Sequence, residues 1–195
     1  MDMLKVNQTR LEKLEKEKLE KILANIELLL YDKSTLSFLS QKQGEGKTSV
    51  ILALSEYLTV QKKKVLYIWV SRNSKNDWMS FPKQDEILPS TIKNMDVLLW
   101  KGKEKAYETI KEELEKLKKS YDYILLELEA ADTSSTWMKY AQLSDLAVVV
   151  IQSNLNKVLT LNDTIKQLRK LKCDNVYAIL NRTSKSRKIF PRKNR

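Results

Sequence analysis

From residue 35 onward the chain alternates between short apolar runs and stretches in which apolar residues recur every three or four positions. The runs are Thr35–Leu39, Val65–Val70, Met95–Trp100, Tyr123–Leu128, Leu146–Ile151 and Val176–Leu180. Their length and their content of Val, Ile, Leu and aromatic residues predict strands. The stretches between them predict helices over Thr48–Val60, about Lys103–Lys119 and about Asn156–Leu171. Residues 71–93 are polar, contain Pro82 and Pro89, and predict irregular structure. Continuous apolar strands separated by helices require crossover connections. The expected fold is therefore α/β, with a mainly parallel sheet covered by helices on both faces. Residues 1–30 precede this pattern. There Leu11, Leu14, Leu19, Ile22, Leu23 and Ile26 recur at helical spacing among six basic and six acidic residues, which predicts one amphipathic helix. The chain thus divides into an N-terminal helix (1–30), an α/β domain (31–183) and a tail (184–195).

The turn after the first strand changes the picture from architecture to chemistry. The protein has three glycines, and two of them lie in Ser40-Gln41-Lys42-Gln43-Gly44-Glu45-Gly46-Lys47-Thr48. Strand, glycine turn, Lys-Thr and helix together make the layout of a phosphate-binding P-loop. Glycines let backbone N–H groups turn inward towards phosphate oxygens, and the following helix directs its positive end at the same anion. Gly44, Glu45, Gly46, Lys47, Thr48 and Ser49 are the expected nucleotide-binding residues, with Thr48 also a Mg²⁺ ligand. The motif departs from consensus once, with Gln41 where a glycine is usual. The second part of such a site is an acid closing an apolar strand. Glu127 fills that role, with Glu129 as the alternative. Ligands in parallel sheets bind at the carboxyl ends of strands, and both parts fall there.

These segments resemble the bacterial tyrosine kinases (BY-kinases), within the wider MinD/ParA-like group of P-loop NTPases. The loop Gly44-Glu45-Gly46-Lys47-Thr48 is similar to theirs. Tyr121-Asp122-Tyr123-Ile124-Leu125-Leu126-Glu127 is similar to their Walker B strand. Ser144-Asp145 before Leu146–Ile151 is similar to their Ala-Asp before an apolar strand. Val176–Leu180 followed by Asn181 resembles their late strand, whose Asn tends to lie by the base, so the resemblance adds Asn181 to the nucleotide-binding residues. It implies ATP or ADP with Mg²⁺ as ligand and a membrane protein of capsule or exopolysaccharide export as partner. The departures are specific. The family's second acidic motif, Asp-x-Asp, aligns with Trp69 and Ser71. The C-terminal tyrosine cluster is absent, since Tyr177 is the last tyrosine. Of the N-terminal oligomerisation motif, which aligns with Glu17, Glu20 and Leu23, only Glu17 matches. MinD/ParA-type ATPases have a second lysine early in the loop, and Lys42 stands at that position.

Composition narrows the possibilities further. A single cysteine and no histidine exclude an intramolecular disulfide, His-dependent catalysis and His metal sites, and leave little with which to hold zinc. No apolar run approaches the ~20 residues that span a bilayer, and no apolar signal core opens the chain, so the expected location is cytoplasmic, at the inner face of the membrane if a membrane partner exists. Arg182, Lys185, Arg187, Lys188, Arg192, Lys193 and Arg195 supply seven of the eleven net positive charges. Such a tail over 182–195 suits an anionic membrane or DNA, and the helix over 1–30 suits a homo-oligomer contact or packing on its own domain. Three functions follow. The first is an ATP/ADP-binding regulator that resembles a BY-kinase domain and is weak or inactive in phosphoryl transfer. The second is an active MinD/ParA-type dimerising ATPase, and the third is a nucleotide-free interaction module.

Overall fold

A computed structural model of the chain describes residues 16–29, 34–71, 86–101, 107–132, 140–152 and 155–181. Among them run α1 (Lys16–Leu29), β1 (Thr35–Leu39), α2 (Lys47–Val60), β2 (Val65–Ser71), β3 (Ile87–Pro89), β4 (Met95–Lys101), α3 (Tyr107–Leu117), β5 (Tyr123–Glu127), β6 (Leu146–Gln152), α4 (Leu155–Lys170) and β7 (Val176–Asn181). The strands form one seven-stranded sheet in the order β3-β4-β2-β5-β1-β6-β7. Every pairing is parallel except β3 with β4.

The sheet is apolar on both faces because helices cover both. On one face α2 packs Val50, Ile51, Leu54 and Leu58 against Leu36, Phe38, Tyr67, Leu125 and Val148, and α1 adds Ile26. On the other, Ile110 and Leu114 of α3 and Leu168 of α4 meet Leu66, Ile68, Leu126 and Val149. Successive strand residues point to opposite faces, so each strand contributes to both clusters. This is the physical content of continuous apolar runs. A strand with one wet face would alternate with polar residues instead.

The six expected strands and three expected helices of the domain are present, with ends shifted by a few residues. The short β3 falls within residues 71–93, where irregular structure is expected. It is three residues long, contains Pro89 and is largely exposed, so neither length nor periodicity marks it. It forms an antiparallel edge, where a missing N–H is tolerated. Residues 1–15 and 30 of the expected N-terminal helix, 72–85 of the expected irregular stretch, 103–106 of the helix expected over about Lys103–Lys119, and the basic tail from Arg182 lie outside the described residues.

Polar contacts tie the strand entrances opposite the P-loop end. Asp145 Oδ2 accepts from the backbone N–H of Ser34 (3.1 Å) and of Thr35 (2.9 Å), which fixes the start of β1 beside β6. Asp122 Oδ2 accepts from the N–H of Lys64 at 2.7 Å ahead of β2. The Tyr121 phenol donates to Asp96 at 2.8 Å; burial first, and then this carboxylate, push its ionisation well above the usual tyrosine range. Asp145, a position of family resemblance, therefore has a structural task far along β1 from the P-loop. Replacing it with alanine leaves the Thr35 N–H at a fully buried residue without its partner. Asp145→Ala is expected to lower stability by about 1–3 kcal/mol in urea unfolding.

Candidate functional site

Beyond β1 the chain cannot continue as strand, and the residues that stop it build the loop. Gly44 and Gly46 have φ of 82° and 98°, a backbone region that side-chain-bearing residues rarely adopt. Gly46 is the N-cap of α2. No side chain caps that helix and no acid stands in its first turn. The first-turn N–H groups have no acceptor within the helix, so they are presented at the mouth of the loop. An anion there would be favoured by both those donors and the helix dipole.

The rest of the loop is held from outside. Carbonyls of Phe38 near the end of β1 and of Ser40 and Gln41 in the loop accept from the N–H groups of Leu128, Ala131 and Asp132, at 3.0, 2.9 and 3.1 Å, so the segment after β5 lies along them. The Glu45 carboxylate, 2% exposed, folds back to accept from the N–H of Gln41 (3.0 Å) and of Lys42 (3.2 Å). Glu45 is thus a brace of the loop. Gln41, the departure from consensus, donates from Nε2 to Thr164 Oγ1 of α4 at 2.7 Å. Asn181 at the end of β7 donates from Nδ2 to the Glu45 carbonyl at 2.9 Å. A Cβ on Gly46 would stand 2.0 Å from that Nδ2, so this glycine is required by close approach as well as by φ.

The charged groups converge inside. Lys47, 8% exposed, donates from Nζ to Ser40 Oγ at 2.6 Å, and Ser40 donates in turn to the Lys42 carbonyl at 2.8 Å. Burial lowers the lysine's basicity, and the charges of Glu127, Glu45, Asp132 and Glu129 act against that shift. Thr48 donates from Oγ1 to Glu127 Oε1 at 2.8 Å. The other oxygen, Oε2, accepts from the phenol of Tyr67 at 2.6 Å. Burial raises the Glu127 carboxyl above its usual range, and Lys47 and the two hydroxyl donors hold it back. A distance of 2.6 Å suits a phenol donating to an ionised carboxylate.

The geometry thus gathers Gly44, Glu45, Gly46, Lys47, Thr48, Glu127 and Asn181 at one place. Ser49 is exposed in the first turn of α2, and Lys42 is exposed on the loop. Glu129, the alternative acid, lies half-buried two residues beyond the end of β5, within electrostatic reach of Lys47. Trp69, at the position of the first missing acid, is 8% exposed and stands opposite Glu127 in the β2–β5 register. Sequence reasoning passed over Tyr67. Its signal was present: a tyrosine inside a buried strand needs a partner for its hydroxyl, and Tyr67 shares a strand face with Trp69.

These residues fit a nucleotide with Mg²⁺. A hydroxyl and a carboxylate 2.8 Å apart are hard oxygen donors of the kind Mg²⁺ takes. The Thr48 proton points at Glu127, which leaves the hydroxyl lone pairs for a cation. Among the described residues no cluster of three or more acids could hold a metal alone. A metal here would need phosphate oxygens to complete its shell, as Mg²⁺ commonly does.

No protein-family model and no curated protein matches the chain. Solved structures do. The chain is similar to the kinase domain of the Escherichia coli tyrosine kinase ETK, with a TM-score of 0.72 at 16% identity, over 87% of this chain and 78% of that one. It is similar to the VpsO kinase domain, with a TM-score of 0.70 at 20% identity, over 89% and 98% of the two chains. It is also similar to the septum site-determining protein MinD of Pyrococcus horikoshii, solved with Mg-ADP, with a TM-score of 0.61 at 22% identity, over 79% and 72%. The chain has the P-loop NTPase-like fold that bacterial tyrosine-kinase domains share with MinD/ParA-type proteins.

Placing a side chain at Gly46 strains the backbone, by about 1–2 kcal/mol for left-handed geometry, and also strikes Asn181. Gly46→Ala is therefore expected to cost less stability in an Asn181→Ala background than in the wild type. Urea unfolding of the four proteins of this cycle should show a coupling of about 0.5 kcal/mol or more.

Proposed function

We propose that this protein binds ATP or ADP with Mg²⁺ at the P-loop and acts as a nucleotide-responsive regulator whose phosphoryl transfer is weak or lost. The observation that carries the proposal is the convergence of Lys47, Thr48 and Glu127 on an uncapped helix N-terminus, with Trp69 beside Glu127. In this reading the first-turn N–H groups of α2 bind phosphate oxygens. Lys47 exchanges Ser40 for phosphate, at little cost because its charge is already desolvated and Ser40 is its neutral partner. Thr48 and Glu127 would hold the metal, which when bound supplies charge neutralisation between phosphate oxygens. Asn181 and Glu45 keep the loop in shape.

The same geometry argues for weak catalysis. Phosphoryl transfer needs a group that orients or deprotonates the attacking hydroxyl, within hydrogen-bond reach of it. Trp69 offers no such group. Glu127 has one hydrogen bond on each oxygen and is committed to position.

The resemblance to BY-kinases supports a membrane partner in capsule or exopolysaccharide synthesis or export, and the basic residues 182–195 suit a contact with anionic lipid. That partner would place the protein at the inner face of the membrane. No helix among the described residues is long and apolar enough to cross a membrane. Lys42 carries a second reading. It is exposed on the loop at the position of the MinD/ParA lysine, so an active ATPase that dimerises across its nucleotide, and binds DNA or membrane through the tail, is the alternative.

Calorimetry with Mg·ADP and Mg·ATP tests this, with phosphate release and tyrosine phosphorylation followed in the same samples. The expected result is binding without sustained turnover, weakened about 10- to 100-fold by Lys47→Ala through loss of one charge-assisted contact. Sustained phosphate release that requires Lys42 would establish the ATPase, and absence of binding to either nucleotide would leave an interaction module.

A further inference from the structure

Tyr67 is a buried residue whose polar group the nucleotide-binding reading does not use. It has 0% exposure, yet its hydroxyl is not spent on the core. It lies on β2 opposite Leu125 of β5, and its ring runs along the sheet face to the next inward residue, Glu127. Diagonal neighbours on paired strands are within reach of an aromatic side chain. The Tyr67 phenol donates to one carboxylate oxygen while Thr48 donates to the other.

Together these contacts define an outer shell. A carboxylate that faces a metal, directly or through water, has to be presented in one orientation, and groups that hydrogen-bond it from behind set that orientation. Here the inner acids expected on β2 are replaced at Trp69, and the same strand supplies a donor two residues earlier instead. Glutamate is one methylene longer than the usual strand-end aspartate, and at that length it reaches the phenol at 2.6 Å. The tyrosine and the longer acid are matched to one another.

We propose that Tyr67 is the positioning residue for the metal-facing carboxylate, fixing Glu127 from the neighbouring strand so that a site with one strand-end acid still takes Mg²⁺ with its nucleotide. This rests on the nucleotide-binding reading above. It assigns to β2 a metal-positioning task through a neutral side chain in place of an acidic one.

The test is calorimetric titration of ADP, once in EDTA and once across a Mg²⁺ series, with wild type, Tyr67→Phe, Glu127→Gln and the double variant. Tyr67→Phe is expected to raise the half-saturating Mg²⁺ about 10- to 100-fold, while leaving ADP affinity in EDTA unchanged. The double variant should need no more Mg²⁺ than Glu127→Gln alone, because both remove one arrangement. Glu127→Asp is the second variant. It keeps a carboxylate but withdraws it from the phenol, and it should raise the Mg²⁺ requirement in the same direction. A Tyr67→Phe protein with the wild-type Mg²⁺ requirement overturns the proposal. So does equal weakening with and without Mg²⁺, which would mark Tyr67 as a packing residue, and so does a Glu127→Asp protein that binds Mg²⁺ as the wild type does. If the wild type binds ADP and one of these results appears, Tyr67 alone is wrongly assigned. If the wild type binds no nucleotide, the functional reading falls and this inference with it.

Discussion

A buried carboxylate is expensive unless its surroundings supply charge and hydrogen bonds, and Glu127 is such a carboxylate. Its requirements organise this end of the sheet. Thr48 comes from the first turn of α2, Tyr67 from β2, and the compensating charge from Lys47. Two consecutive elements, α2 and β2, therefore meet a side chain of β5 some 60 residues or more further along the chain. Lys47 has the mirror problem, a buried cation, and the surrounding acids offset part of its desolvation. Each charge makes the other tolerable, so the P-loop and the end of β5 are bound electrostatically as well as through the sheet.

The loop itself shows how a departure from consensus is absorbed. A glycine at position 41 would contribute backbone alone. Gln41 instead extends a side chain to Thr164, which joins the loop to α4. Asn181 joins it to β7 from the other side of the same αβ unit. Glu45 then uses its carboxylate within the loop, where it satisfies two backbone donors. The loop is held open by its own side chains and by the last strand and helix.

Much of the fold was legible because it follows from local periodicity. Strands covered on both faces must be apolar throughout, and Val65–Val70 or Leu146–Ile151 could scarcely be anything else. The P-loop was legible for a related reason. Its glycines, lysine and threonine act through backbone conformation and near neighbours, so spacing along the chain carries the chemistry. The strand β3 was not legible, since a three-residue edge containing Pro89 owes its existence to β4.

The sequence by itself determined the α/β class, the position of the phosphate loop and the absence of two acids at Trp69 and Ser71. Each of these depends on residues within a few positions of one another. The tertiary structure alone decided which strand donates to Glu127, which element braces residue 41, and which end of β1 Asp145 serves. These are contacts between residues 60 to 123 positions apart in the chain. Sheet register and crossover topology create them, and no local pattern encodes where two distant side chains will meet.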